Sequence, residues 1–242
     1  MVKANIGILF FVCIFLFLSC RKEKILTPTE NHDNQTDVSD TFDITKKRIP
    51  KYVRVNYIQL DSITKISRFR SSIGHDFSDD FESCRSMKHY FVPNGNGTTW
   101  DSVKIFCPID GIIIQLIEEW AGTKISIKSK QHPAFTFSIF HVHRKDSLVV
   151  GDSVRAGQLF GTHIGGQTYS DIAVSVQTPT GWKLISYFDV MSDILFYQYQ
   201  LRGIAHRDSL IISEQARDAD TIHCNGGQFL NNGTIPDWIL LN

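Results

Sequence analysis

Apolar and polar residues alternate in short runs over most of the chain. Val53-Arg54-Val55-Asn56-Tyr57-Ile58 has a period of two, the pattern of a half-buried strand. Val103–Ile105, Gly111–Leu116, Ile125-Ser126-Ile127-Lys128, Phe135–Phe140 and Ile172–Val176 repeat it. Turn residues separate the runs: Pro108 to Gly111, Ala121-Gly122, Gln131-His132-Pro133, Gly165-Gly166 and Pro179 to Gly181. Many short strands at close spacing predict a mainly β domain, a sandwich or a barrel, over residues 51–190. Helix is predicted only late, where Ser213 can cap a run from Glu214 to Ala219. Residues 191–242 are predicted to be a short mixed extension that packs on the β domain through Phe229, Trp238, Ile239 and Leu240.

The first fifty residues follow other rules. In residues 1–20, Lys3 precedes an uncharged apolar run from Ile6 to Leu18, the pattern of an export signal. The run is shorter than the roughly 20 residues a bilayer span needs. Phe17-Leu18-Ser19-Cys20 resembles a bacterial lipobox, which implies a lipid on Cys20 and attachment to a bacterial membrane, on its periplasmic or cell-surface face. Residues 21–50 are polar and are predicted to be a flexible tether, because they cannot bury enough surface to offset their ordering entropy. Twenty-five basic and 25 acidic residues balance to a formal net charge of zero, and without a basic stripe nucleic acid is not an expected partner. Cys84, Cys107 and Cys224 remain in an exported domain, where disulfides persist. Cys107 lies in an apolar run and reads as a buried thiol, leaving Cys84 with Cys224 as the preferred pair.

The segment Val150–Gly161, VGDSVRAGQLFG, resembles the Gly-Asp-x-Val-x-x-Gly-Gln hairpin of lysostaphin/LytM-type zinc metallopeptidases. Three further motifs fit. Arg85 to Pro93 lies where that family has a His-x-x-x-Asp metal motif followed by proline. Cys107-Pro108-Ile109-Asp110-Gly111 resembles its Ala-Pro-x-x-Gly turn, and Phe140-His141-Val142-His143 the strand with its lone catalytic histidine. The resemblance covers residues 85 to 176. It implies a LytM-like β-sandwich (a barrel-sandwich hybrid of the duplicated hybrid motif type) and peptidoglycan or an envelope protein as partner.

Register against the family places Arg85 at the first zinc histidine and His89 at the aspartate. Asp171 and Ala173 fall on the two histidines of a His-x-His pair. Arg and Ala cannot ligate zinc through their side chains, and a catalytic zinc needs three protein ligands plus water. The resemblance therefore implies a domain degenerate at its metal ligands and leaves three readings open. One is a non-catalytic binding or regulatory module of the cell envelope. The second is a metallopeptidase or peptidoglycan hydrolase with a rearranged zinc site drawn from His75, Asp76, His89, His141, His143 and Asp171, with His141, His143 and Asp171 as its catalytic candidates. Strand alternation would put His141 and His143 on one face. The third is a structural lipoprotein without a ligand.

Two plainer possibilities stand beside the metal one. The acidic loop Asp76–Glu82 could cap turns through its carboxylates. His75, Asp76, Arg85, Lys88 and His89 could instead gather in a charged cluster, with Arg85 paired to Asp76 or Asp171. A serine nucleophile has no Gly-x-Ser-x-Gly elbow to support it. Trp120, Trp182 and Trp238 read as partly buried core or as a stacking surface for a sugar ring. His132, His163, His206 and His223 read as surface or locally bonded residues. The lipobox is checked by mass spectrometry of Cys20→Ala, which is expected to accumulate as an unlipidated precursor; unchanged processing and membrane attachment would refute it.

Overall fold

A computed structural model describes residues 40–95 and 97–242. The signal segment, Cys20 and residues 21–39 of the expected tether lie outside them. The strands are β1 (Ile63–Ser67), β2 (His89–Pro93), β3 (Lys104–Phe106), β4 (Gly111–Glu119), β5 (Gly122–Ser129), β6 (Phe135–Arg144), β7 (Ser153–Val154), β8 (Leu159–His163), β9 (Ser170–Thr178) and β10 (Gly181–Ile185). They are followed by α1 (Asp193–Gln200), α2 (Glu214–Ala219), β11 (Cys224–Asn225), β12 (Gln228–Phe229) and β13 (Trp238–Leu240). The architecture is mainly antiparallel β, as the alternation predicts. The main path of the large sheet runs β13-β1-β2-β9-β6-β5-β4-β7, with β10 on β9 and β8 linking β6 to β3.

Two strands change partners part-way, and this curls the sheet. β9 pairs with β2 over Ser170–Ile172 and with β10 from Val174 onward. β6 pairs with β9 from Phe135 to Phe140 and then with β8 from Val142 to Arg144. His141 sits at that change, with a φ of 61°. Opposite it, Lys124 alone on β5 faces both Phe140 and His141, since Ile125 pairs with Ile139 and Thr123 with Val142. This two-against-one arrangement is a β-bulge, which breaks alternation and bends the strand.

The main core lies on one face of this sheet. Phe91, Phe135, Phe137, Ile139, Ile172, Val174 and Val176 are fully buried and join Tyr57, Tyr187, Phe188 and Tyr199 from flanking segments. A second, smaller cluster of Phe69, Met87, Phe140, Ala173 and Leu184 covers part of the other face. Ala173 is thus a packing residue, and its small side chain leaves room for the rings around it.

Several expectations are revised. Residues 53–58 form isolated bridges, Val53 to Met191 and Ile58 to Ile105, and no regular strand. The expected hairpin at Val150–Gly161 is a connection between separate ladders: β7 pairs with β4, and β8 with β3 and β6. Its backbone N–H groups tie the turn to its surroundings instead. Gly157 N–H donates to Cys107 O, and Ala156 N–H to the Asp110 carboxylate, each across about one hydrogen-bond length (2.8 and 2.9 Å). Phe42, Ile44 and Ile49 pack against the core, so this end of the expected tether, residues 42–49, lies on the domain. In the C-terminal extension Leu240 is 70% exposed and its neighbour Leu241 is the buried anchor.

The extension is built into the sheet. β13 pairs with β1 in the register Lys65 to Leu240, Ile66 to Ile239 and Ser67 to Trp238. Arg202 donates to the carbonyls of Leu60, Ile63 and Asn242. α2 begins where Ser213 Oγ accepts from Ala216 N–H. Cys84 and Cys224 form a disulfide across a sequence separation of 140 residues, and Cys107 is a buried free thiol. Such a cross-link closes a long loop in the unfolded chain, and its loss is expected to cost about 2–5 kcal/mol. Urea unfolding with and without reductant measures it, and Cys84→Ser with Cys224→Ser should reproduce the reduced midpoint.

Candidate functional site

The sheet places Tyr90, Asp171 and Phe140 side by side on neighbouring strands, because Tyr90 on β2 and Phe140 on β6 are both register partners of Asp171 on β9. Lys88 enters just before β2. Its ammonium lies 2.5 Å from Asp171 Oδ2, with both side chains out of solvent at 2% and 0% exposure. Three aromatic rings box it: Phe140 at 4.4 Å, Phe77 at 4.8 Å and Tyr90 at 4.9 Å from the ring centroids. Ring faces carry negative electrostatic potential, so a desolvated ammonium is attracted to each.

The remaining polar groups complete a small network. His141 donates from Nδ1 to Ala121 O at 2.9 Å, which aims Nε2 at Asp171 Oδ1, 3.3 Å away. His75 donates from Nδ1 to Asp76 O at 2.8 Å and leaves Nε2 as an acceptor 3.5 Å from Lys88 Nζ. Burial works against the Lys88 charge, but Asp171 and Tyr90 more than offset it and raise the ammonium above its usual range. Burial, with the Asp171 charge beside it, pushes the Tyr90 hydroxyl up to about 12. At neutral pH the centre therefore holds a lysine cation, an aspartate in ionic contact with it, and a neutral phenol.

The loop carrying His75 passes close over this centre. At Gly74 (φ +79°) a Cβ would lie 2.0 Å from the Tyr90 hydroxyl, so only glycine fits. Asp76 N–H donates to Gly227 O at 2.8 Å, and Arg85 N–H to Asp76 Oδ1 at 3.1 Å. Asp79 accepts from Phe81, Glu82 and Leu184 N–H groups. These acidic residues cap the loop.

A cleft of about 590 Å³ opens above the centre, lined by His75, Tyr90, Trp100, Trp120, His141 and Tyr169, with Gly166 to Thr168 at its rim. Among the described residues, no lysine, arginine or carboxylate lines it. Trp120, at the turn between β4 and β5, is 76% exposed and stands 6.1 Å from the His141 ring. Trp182 is 38% exposed and lies on β10 away from the cleft.

The metal candidates divide. His141 and Asp171 meet, and His75 reaches the same centre through Lys88. Asp76 is occupied by Ser78 and the Arg85 backbone. His143 is exposed and does not line the cleft; it lies past the change of partner, opposite Thr162 of β8, while His141 stays beside Asp171 of β9. His89 faces away from Asp171: its Nδ1 donates to Ser67 O and its Nε2 accepts from Ser186 Oγ, each at 2.8 Å. Arg85 bonds Glu82 and Asp218, each at 2.8 Å, and so does not pair with Asp171, whose partner is Lys88. Among the described residues no group of three or more His, Cys, Asp or Glu side chains is placed to hold one ion. The residues therefore do not fit the three-ligand zinc site that a rearranged metallopeptidase would need.

His163, expected at the surface, is fully buried beside Trp100. Its Nδ1 accepts from Gly165 N–H at 3.1 Å. Pairing of β8 with β6 carries it in, opposite Val142, a placement that no local pattern announces.

No known family model matches this sequence, and no curated protein does. Solved structures similar to it include LytM/lysostaphin-type peptidase domains. The catalytic domain of the antimicrobial peptidase lysostaphin from Staphylococcus simulans is 17% identical, with a TM-score of 0.34 over 48% of this chain and 83% of that one. A chain from Ruminococcus gnavus ATCC 29149 designated lytM is 17% identical, with a TM-score of 0.34 over 42% of this chain. The chain spans less than half (44%) of that protein's length. A SpoIIQ-SpoIIIAH pore forming complex is 7% identical, with a TM-score of 0.40 over 60% of this chain and 93% of that one.

Burial lowers both His89 and His163 to about 4. A histidine whose folded value is depressed contributes its full stability above the unfolded value near 6.5 and loses it as pH falls toward 4. Urea midpoints are expected to drop steadily from pH 7 to pH 4, with about 3 kcal/mol lost through His89 alone. His89→Gln should be less stable at pH 7 but flatter across that window; an equally steep slope would place the proton uptake elsewhere.

Proposed function

We propose that the protein is an exported, lipid-anchored module whose LytM-like domain binds a cell-envelope ligand and does not hydrolyse it. The observation that carries this reading is the Lys88–Asp171 ion pair under the cleft. It engages a carboxylate that a hydrolytic metal or general base would need, while the cleft above stays open and aromatic. Peptidoglycan is the partner that the sequence resemblance suggests, and an envelope protein is the other. A rearranged metallopeptidase would have to displace Lys88 from Asp171 and recruit a third ligand from side chains already hydrogen-bonded elsewhere.

Trp120 supplies the largest exposed ring in the cleft. Aromatic anchors of this kind commonly contribute about 1.4 kcal/mol or more to binding, which is a tenfold change in affinity. Purified full-length protein is expected to co-sediment with insoluble peptidoglycan, about tenfold less so for Trp120→Ala, and equally with or without chelator. The suspension should not clear. Failure to co-sediment would exclude the wall as partner, and chelator-sensitive clearing would overturn the non-catalytic reading.

A further inference from the structure

We infer that Lys88 is a built-in cation, doing with a covalently held ammonium the structural work that a bound metal ion would do at the same point. Asp171, His75 and three aromatic rings surround its Nζ, and His141 backs the carboxylate. Asp171 Oδ2 lies 2.5 Å away, and His75 Nε2 presents an acceptor at 3.5 Å. His141 Nε2 approaches the other oxygen of the same carboxylate at 3.3 Å. Three ring faces close the remaining directions within 4.4 to 4.9 Å. A carboxylate and two imidazoles are ligand types that suit zinc, but among the described residues they are not placed to hold one ion, and a primary amine stands against the carboxylate instead.

An ammonium and a divalent ion cannot share this space. Nζ within contact of Asp171 would be repelled by any ion that Asp171 also bound, and Asp171 has no second buried counter-charge to spare. The centre is thus self-filled. It keeps the His75 loop, β2, β6 and β9 in register around the cleft at any metal concentration. The inference does not depend on what the cleft binds, so it stands or falls separately from the cell-wall reading.

The same geometry makes Lys88 the residue whose replacement tests the inference. Lys88→His would offer a third imidazole beside His75, His141 and Asp171. Zinc binding to the full-length wild-type chain, followed by calorimetry and metal analysis after dialysis, is expected to show no stoichiometric uptake. Lys88→His is expected to take up one zinc per chain and to gain about 5 °C or more in melting temperature on saturation. Lys88→Met, with neither cation, should melt well below wild type and show no response to zinc. Stoichiometric zinc on the wild type would overturn the inference, as would a folded Lys88→His that ignores zinc. If the histidine variant does not fold, nitrogen-15 NMR of the wild type decides. A caged ammonium should give a slowly exchanging Lys88 Nζ signal, unchanged by zinc and lost in Asp171→Asn. A freely exchanging Lys88, or one displaced by zinc, would refute the built-in cation.

Discussion

One buried charge pair organises this molecule. Removing an ammonium and a carboxylate from water is costly, and the cost is recovered only where geometry and further contacts are good. Lys88 and Asp171 meet that condition through the ring faces of Phe77, Tyr90 and Phe140 and through His75 and His141. These groups come from four segments. The loop at residues 74–77, the entry to β2, the bulge in β6 and the start of β9 must all be in place before the pair is compensated. Loss of one partner would leave the other buried and unpaired, which is far worse than loss of both. The pair therefore rewards one arrangement of these segments and penalises the alternatives.

Backbone geometry makes that arrangement possible at two points. His141 adopts a positive φ, which few residues other than glycine tolerate. The bulge that contains it brings Phe140 and His141 to the centre from adjacent positions and ends the pairing of β6 with β9. Gly74 lets the loop graze the Tyr90 hydroxyl where any side chain would collide. Sparse backbone conformations gather at functional sites when the surrounding structure holds them, and here the large sheet does so.

Period-two alternation made the β domain legible, since burial of one sheet face demands it. It misled where the chain is held by something other than a ladder. Residues 53–58 alternate, yet they bury Tyr57 and Ile58 through aromatic packing and lone bridges. The core anchor near the end is Leu241 rather than Leu240, because β13 is an edge strand whose register a single residue decides. The site was legible in part. Asp171 and His141 were identifiable from the family resemblance and its register. His143 and His89 were not excludable, because a change of strand partner and a strand-facing choice are invisible in local pattern. Lys88 stood among residues expected to cluster, but its role was hidden by the search for ligands: a lysine is the opposite of one. Arg85, expected to pair with Asp76 or Asp171, finds Glu82 and Asp218 instead.

The Cys84–Cys224 bridge constrains how the chain can be oxidised. Cys84 lies nearer in sequence to Cys107 than to Cys224, so loop-closure entropy in an unfolded chain favours the wrong pair. In the folded domain Cys107 is withdrawn into the main core, where burial pushes its thiol up to about 12 and away from the reactive thiolate. Packing of the core therefore selects the disulfide: once Cys107 is buried, Cys84 has Cys224 as its partner, and the bridge fastens the C-terminal extension to the segment just before Lys88.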